Sequence, residues 1–295
     1  MDKIQIKIPA KVNLGLDIVR KREDNYHDIK TVMHSINIYD YLTFEKSDNI
    51  SITCNHNEVP RDESNIVYKC IKTISELTDN KHKLLSVHIE KRIPVCAGLG
   101  GGSANGAAAL IAYNKIYELN LTKEELCKIG SKIGADIPFL IHSGAGLCEG
   151  IGEKIRPIYP YIPCYIVLCK PDFGVSTKFA YDLIDNAKEL LRPDFTSLMS
   201  GLLEADKKKL KKGLINVFEP FVLEKYPEVK YIKDKFEKLD AIGVQMSGSG
   251  PSVFALYDSL SKAQYAYEAF RKEYDTVFLT NFTESENALL TYELK

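Results

Sequence analysis

Residues 94–110 read Pro94-Val95-Cys96-Ala97-Gly98-Leu99-Gly100-Gly101-Gly102-Ser103-Ala104-Asn105-Gly106-Ala107-Ala108-Ala109-Leu110. Four glycines fall within five positions, and an alanine-rich run of helical character follows. Glycine adopts backbone angles closed to other residues, so such a stretch turns tightly and brings its amides close to a ligand. The first turn of the following helix adds unpaired N–H groups and the positive end of a dipole. Together these suit a polyanion such as a nucleotide phosphate. A flexible linker is the plainer reading of the glycines, but a strand-like run before them and a helix-like run after them argue against it.

Working outward, residues 84–93 form a strand that leads into the loop. Residues 65–78 have helical spacing, with Ile66, Cys70, Ile74 and Leu77 on one side, and strands are expected at 3–8, 12–18, 34–46 and 49–54. Downstream, Ser103 is the expected N-cap of a helix running to about Glu118. Thr122-Lys123-Glu124-Glu125 fits a capping box that opens a second helix ending near Gly134. A hairpin is expected through Ser143-Gly144 and Glu149-Gly150, and three prolines at 157–163 mark a domain junction. Beyond it come a strand at Tyr165–Cys169, helical stretches to about Phe236, a strand–turn–strand over 242–256, a helix at 261–273 and a strand at 276–281. The pattern predicts an α+β protein of two domains, residues 1–157 and 158–295.

A chain of 295 residues has room for two domains with real cores. Its 45% hydrophobic and 27% charged content is ordinary for a globular protein. A net charge of −1 gives no electrostatic reason to expect nucleic acid or anionic lipid, so small molecules are the expected partners, with monomer and homodimer both open. Residues 1–7 lack the apolar centre of a signal peptide, and no apolar run is long enough to span a bilayer; a cytoplasmic location is expected. Seven scattered cysteines without a Cys-x-x-Cys pair, and six histidines without a His-x-x-x-His pair, suit neither a disulfide framework nor a zinc site. The run Lys207, Lys208, Lys209, Lys211, Lys212 reads as a solvated helix face with Leu210 and Leu214 turned inward, a docking patch being the alternative.

Which class of phosphate loop is this? It lacks the Gly-Lys-Ser/Thr ending of a Walker A sequence. Ser103 or Asn105 falls where the dinucleotide pattern needs its last glycine, and no His-Arg-Asp loop of a protein kinase is present. Pro94-x-x-x-Gly98-Leu99-Gly100-Gly101-Gly102-Ser103-Ala104 resembles instead the central motif of the GHMP kinases, which include galactokinase, homoserine kinase and mevalonate kinase. Two more segments match in order. Pro9-Ala10-Lys11-Val12-Asn13-Leu14 resembles the family's first motif, and Ser247-Gly248-Ser249-Gly250-Pro251-Ser252 its third. Asn25-Tyr26-His27-Asp28-Ile29 with Thr31-Val32-Met33, and Gly134-Ala135-Asp136-Ile137-Pro138-Phe139, are similar to the branch whose acceptor is a cytidine diphosphate-linked methylerythritol. Ala104 departs from that branch, which usually has a second serine there; the backbone cradle is unaffected.

The resemblance implies a ribosomal S5 domain 2-like N-terminal domain and a ferredoxin-like C-terminal domain with a cleft between them. It implies transfer of the ATP γ-phosphoryl group to the acceptor's tertiary 2-hydroxyl, with Mg²⁺ neutralising the β- and γ-oxygens. The phosphates are expected along residues 94–104, with Ser103 the first candidate for the metal, whose ligands the sequence does not identify. Asp136 is implied as the base that takes the hydroxyl proton, a role typically worth ~10²–10⁴ in rate. Lys11 would lie beside it and stabilise alkoxide charge. Asn13 is implied in substrate binding, Tyr26 in stacking on the cytosine and His27 in bonding its edge. Thr177 and Tyr181 form a second wall, for which Phe179 is the alternative stacker.

Each of these residues also has a plainer reading. Asp136 suits an N-cap, or a group that only orients the hydroxyl. Lys11 suits a solvated strand, Tyr26 and His27 suit loop packing, and residues 247–252 suit a β-turn without a ligand. For the whole chain, another GHMP kinase and a non-catalytic nucleotide- or RNA-binding protein on the same fold stay open. The presence of both Lys11 and Asp136, and the near-neutral charge, count against the latter.

Overall fold

The computed structural model describes residues 1–295 other than 81, 161, 186, 188, 284–289 and 294–295, with backbone alone at 290–293. Strand β1 (Lys3–Lys21) opens with Ile4, Ile6 and Ile8 fully buried between partly exposed neighbours, the period-two pattern of a strand with one covered face. From Pro9 to Leu16 both faces are covered. Its antiparallel partner β2 (His27–Ser47) pairs with it along its length, with register shifts at Pro9/Ala10, Asn13/Gly15 and Ile18/Arg20. Side-chain alternation loses phase at each shift. That is why the sequence reads as two short strands, 3–8 and 12–18, where the structure has one.

The 21-residue length of β2 lets it hold two neighbours end to end. Residues 41–47 pair with β4 (Leu84–Glu90), and residues 29–34 pair with β5 (Ala145–Gly150). A parallel strand β3 (Ser51–Cys54) flanks β4, β6 (Lys154–Ile158) flanks β5, and β11 (Leu290–Glu293) pairs with β1 from Ile4↔Glu293 to Lys7↔Leu290. The sequence reading had no strand at β11. The expected hairpin exists as β5–β6, but its turn lies at 151–153, beyond Gly150.

Helices α1 (Ile66–Leu77), α2 (Gly101–Ile116), α3 (Lys123–Ser131) and α4 (Ile137–His142) accompany this sheet. Thr122 and Glu125 form the expected capping box of α3. Helix α2 packs against β1, β2, α1, α3 and α4, and every residue from Ala104 to Tyr113 is buried. Small side chains, Ala107 to Ala109 among them, allow such close approach on all sides.

A second, antiparallel sheet has the order β10-β7-β9-β8: β7 is Tyr165–Lys170, β8 Gly243–Met246, β9 Val253–Tyr257 and β10 Thr276–Asn281. One face (Ile166, Leu168, Phe254, Leu256) joins the large core that fills the first sheet. The other (Val167, Cys169, Val253, Ala255, Tyr257) packs with α8 (Glu219–Lys225), α9 (Pro227–Glu237) and α10 (Leu260–Arg271). Between β7 and β8 in sequence, ahead of α8, run α5 (Thr177–Asp185), α6 (Phe195–Leu203) and α7 (Lys207–Gly213). The α+β expectation holds, although residue 161 of the proline-bearing stretch, and 186 and 188 of the helical stretch, lie outside the described residues.

On α7, Leu210 is buried while Lys207, Lys209 and Lys212 reach Asp258, Glu204 and Asp194 at 2.8, 2.8 and 2.9 Å. The lysine run is thus a surface face with its own counter-charges. All seven cysteines are free thiols; five are buried, Cys127 is half-buried and Cys96 is exposed. Among the described residues, no helix is long and apolar enough to cross a membrane.

Candidate active site

The glycine run divides by φ. Gly98 (+74°) and Gly100 (+71°) adopt left-handed backbone, which disfavours any side chain, and Gly100 stands at the N-cap of α2. The helix therefore begins at Gly101, its N-cap three residues earlier than the Ser103 cap expected from sequence, and no side chain caps it. The expectation failed because a left-handed glycine turns the chain into the helix without a capping hydroxyl. Ser103 falls on the first turn, half-buried. Ala104 N makes the first helical bond, to Gly100 O at 2.8 Å, so the amides of Gly101, Gly102 and Ser103 precede the ladder. A Cβ at Gly102 would meet nothing within 4 Å. Ala97, Leu99 and Ala104 turn their side chains into the core, whereas Pro94, Val95, Cys96, Gly98, Gly100, Gly102 and Ser103 keep some exposure.

The first and third motifs close on this loop. Lys11 N donates to Leu99 O at 3.0 Å, and a Cβ on Gly98 would overlap the Ser247 carbonyl oxygen. Ser247 Oγ donates to Gly98 O at 2.9 Å and accepts from Asn13 N at 3.3 Å. Asn216 Nδ2 holds the turn from behind, donating to Met246 O at 2.8 Å and Gly248 O at 2.7 Å. So residues 247–252 do more than turn the chain: they clasp the glycine loop.

Lys11 is almost wholly buried, and its Nζ donates to Asn13 Oδ1 (2.7 Å) and Gly98 O (3.2 Å). At 3.4 Å it meets Asp136 Oδ2, which remains partly open to solvent. Two charges 125 positions apart in sequence therefore meet beside the glycine bend. Asn13 Nδ2 donates to Thr31 Oγ1 (2.9 Å), which donates on to Gly15 O (2.7 Å), so the amide is oriented with its oxygen toward Lys11. Asp136 occupies the N-cap position of α4, yet its side chain caps nothing. The plain capping reading fails.

A buried cluster behind the loop was not foreseen. The fully buried Asp40 carboxylate takes bonds from Lys91 Nζ, Arg92 N (2.8 Å), Ile93 N (2.8 Å) and Asn105 Nδ2 (2.7 Å). It ties the exit of β4 to the second turn of α2. Lys91 Nζ lies against Gly101, 2.7 Å from where a Cβ would stand. The sequence did carry a signal: Asp40 shares the inward phase of Ile36, Ile38, Leu42 and Phe44, and a charge on a buried strand face needs a partner.

The expected substrate residues lie in two groups. Tyr26 is 60% exposed in the turn before β2. His27 is buried, its Nε2 2.7 Å from Asp185 Oδ1 and its ring stacked on Tyr181 at 4.7 Å and 28°. Tyr181 in turn meets Phe218 edge-on at 4.9 Å, and burial pushes its phenol up to about 12. Lys21 also binds Asp185; its ammonium first, and then the His27 ring, holds that carboxyl below its usual value. Thr177 shares a 3.1 Å hydrogen bond with Ser249 of the third motif, while Phe179 stays exposed. Asp185 was missed because its partner lies 158 positions away.

Residues 65–144 match the GHMP kinases N terminal domain and residues 186–276 the GHMP kinases C terminal domain. The chain is 44% identical over 278 residues to a Clostridium acetobutylicum protein named 4-diphosphocytidyl-2-C-methyl-D-erythritol kinase, covering 94% of this chain and 99% of that one. A crystal structure of 4-(cytidine 5'-diphospho)-2C-methyl-D-erythritol kinase superposes with a TM-score of 0.79 at 26% identity, over 95% of this chain and 99% of that one. Homoserine kinase from Cytophaga hutchinsonii shares the fold, with a TM-score of 0.80 at 21% identity over 99% and 98% of the two chains.

Proposed function

The chain belongs to the GHMP kinases, and from that premise we propose that it transfers the γ-phosphoryl group of ATP to the 2-hydroxyl of 4-diphosphocytidyl-2-C-methyl-D-erythritol. The observation that carries this reading is the meeting of Lys11 and Asp136 at 3.4 Å beside Gly98, in a chain whose full-length relatives bear that enzyme's name. Phosphoryl transfer asks a protein mainly for positioning and charge stabilisation. The free amides at the start of α2 and the exposed edge of residues 94–104 hold the triphosphate. Asp136, free of any capping duty, accepts the hydroxyl proton as the phosphorus–oxygen bond forms. Lys11, held by Asn13 and Gly98, offers its charge to the developing alkoxide.

Mg²⁺ would neutralise the β- and γ-oxygens. Among the described residues no three His, Cys, Asp or Glu side chains gather to hold a metal, which fits a cation carried chiefly by the phosphates with Ser103 at its side. Tyr26 stacks on the cytosine, His27 reads its edge, and Thr177 and Tyr181 form the far wall, Tyr181 through its stack on His27. Residues 1–157 and 158–295 are the two proposed domains, although Ile158 closes β6 and β11 returns to the first sheet, and the enzyme works in the cytoplasm on small molecules.

The test is ATP consumption with this acceptor against mevalonate and homoserine, the product read by ³¹P NMR. ADP release with the cytidine-linked acceptor alone, and a new phosphomonoester, are expected. ATP turnover driven by either other alcohol instead overturns the reading.

A further inference from the structure

His27 is restrained from three directions. Its backbone pairs with Lys21 in the β1–β2 ladder, its ring lies on Tyr181, and its Nε2 meets a carboxylate. Tyr181 is itself braced edge-on by Phe218. An ionised carboxylate has no proton to give, so the 2.7 Å contact places the hydrogen on Nε2. Among the described residues Nδ1 has no hydrogen-bond partner, and in the neutral ring it is an acceptor. Cytosine presents an amine at the position where uracil presents a carbonyl. An acceptor fixed on the protein favours the first and is repelled by the second.

Resting on the cytidine-linked substrate proposed above, we propose that Asp185 is a positioning residue: it locks His27 in the Nε2–H tautomer, so that Nδ1 selects the exocyclic amine of cytosine over the carbonyl of uracil. Tyr181 then acts behind the histidine, keeping the ring plane fixed, and leaves direct stacking on the base to Tyr26. Lys21 shares the carboxylate without touching the ring, which gives the pair an internal control.

The experiment compares the unmodified enzyme with Asp185→Ala and Lys21→Ala, on the cytidine-linked acceptor and its uridine-linked counterpart. In Asp185→Ala the cytidine-over-uridine ratio of kcat/KM should fall by about tenfold or more, the worth of a charge-assisted hydrogen bond, with the KM for ATP unchanged. Lys21→Ala should shift the ratio by less than about threefold, as befits an exposed ion pair. A readout independent of turnover is the ¹⁵N spectrum of the His27 ring: a single Nε2–H form in the unmodified protein, a tautomer mixture in Asp185→Ala. An unchanged tautomer, or an unchanged base preference, overturns the proposal. If the unmodified enzyme ignores the cytidine-linked acceptor, the functional reading falls and takes the base selection with it, while the ring spectrum still judges the Asp185–His27 lock.

Discussion

Asp136 stands where a helix would take a capping side chain, yet its carboxylate turns to Lys11 instead. It caps nothing, it is partly open to solvent, and without it Lys11 Nζ still has Asn13 Oδ1 and Gly98 O as acceptors, so the fold is expected to tolerate its loss. Asp136→Ala should therefore leave the melting temperature and ATP affinity near those of the parent while kcat falls by ~10²–10⁴; near-normal turnover would remove Asp136 from the chemistry. Asp40 is the opposite case. Asp40→Ala leaves the buried Lys91 ammonium without its counter-ion and strips Asn105 and two backbone amides of their acceptor. Breaking a buried pair from one side costs about 3–5 kcal/mol, so the urea midpoint should drop sharply. An unshifted midpoint would show that the cluster carries no stability. Lys11 and Asp136 were legible in the sequence because each sits inside a contiguous motif. Asp185 was not, since nothing local ties it to His27.

Among the elements, the glycine loop and the helix it opens show how residues alike in sequence differ in space. Gly98 has a left-handed φ and its missing Cβ makes room for the Ser247 carbonyl; Gly102 lies on the helix with open space around it. Gly98→Ala should cost about 1–3 kcal/mol in backbone strain alone and loosen the third motif, lowering both the melting temperature and ATP affinity. Gly102→Ala should raise stability by roughly 0.5–1 kcal/mol, as alanine does in a helix, while the KM for ATP climbs because the new methyl stands where phosphate approaches. Calorimetry and nucleotide titration on both variants check this; an unchanged KM in Gly102→Ala would move the phosphates off that face. The loop and the α3 capping box were readable because their spacing is local. The start of α2 was misread because Ser103 looks like a cap, and only the φ of Gly100 shows otherwise.

Across the whole molecule, the two sheets are joined where β2 meets the segment after β10. Ile36 bridges to Phe282, Thr283 N donates to Ser35 O at 2.9 Å, and His34 stacks on Phe282 at 4.1 Å. Burial pushes the His34 imidazole down to about 4 from 6.5. Above pH 6.5 the ring is neutral in folded and unfolded chains alike. Between 6.5 and about 4 only the unfolded chain takes the proton, so stability is lost as pH falls, on the order of 3 kcal/mol in all. Urea titrations at pH 7.5 and 4.5 should show the parent losing more stability than His34→Phe; equal losses would clear His34 of the effect. The strand periodicity foretold two α+β halves. It said nothing of this seam, nor of β11 on the edge of β1, because both depend on partners far along the chain. The Ser247 hydroxyl has a wider consequence. One oxygen links Asn13 on β1, Gly98 in the loop and the turn between β8 and β9. Prising the halves apart there would break both of its hydrogen bonds and free the Gly98 carbonyl from it. Any rocking of one half against the other is therefore coupled mechanically to the shape of the glycine loop.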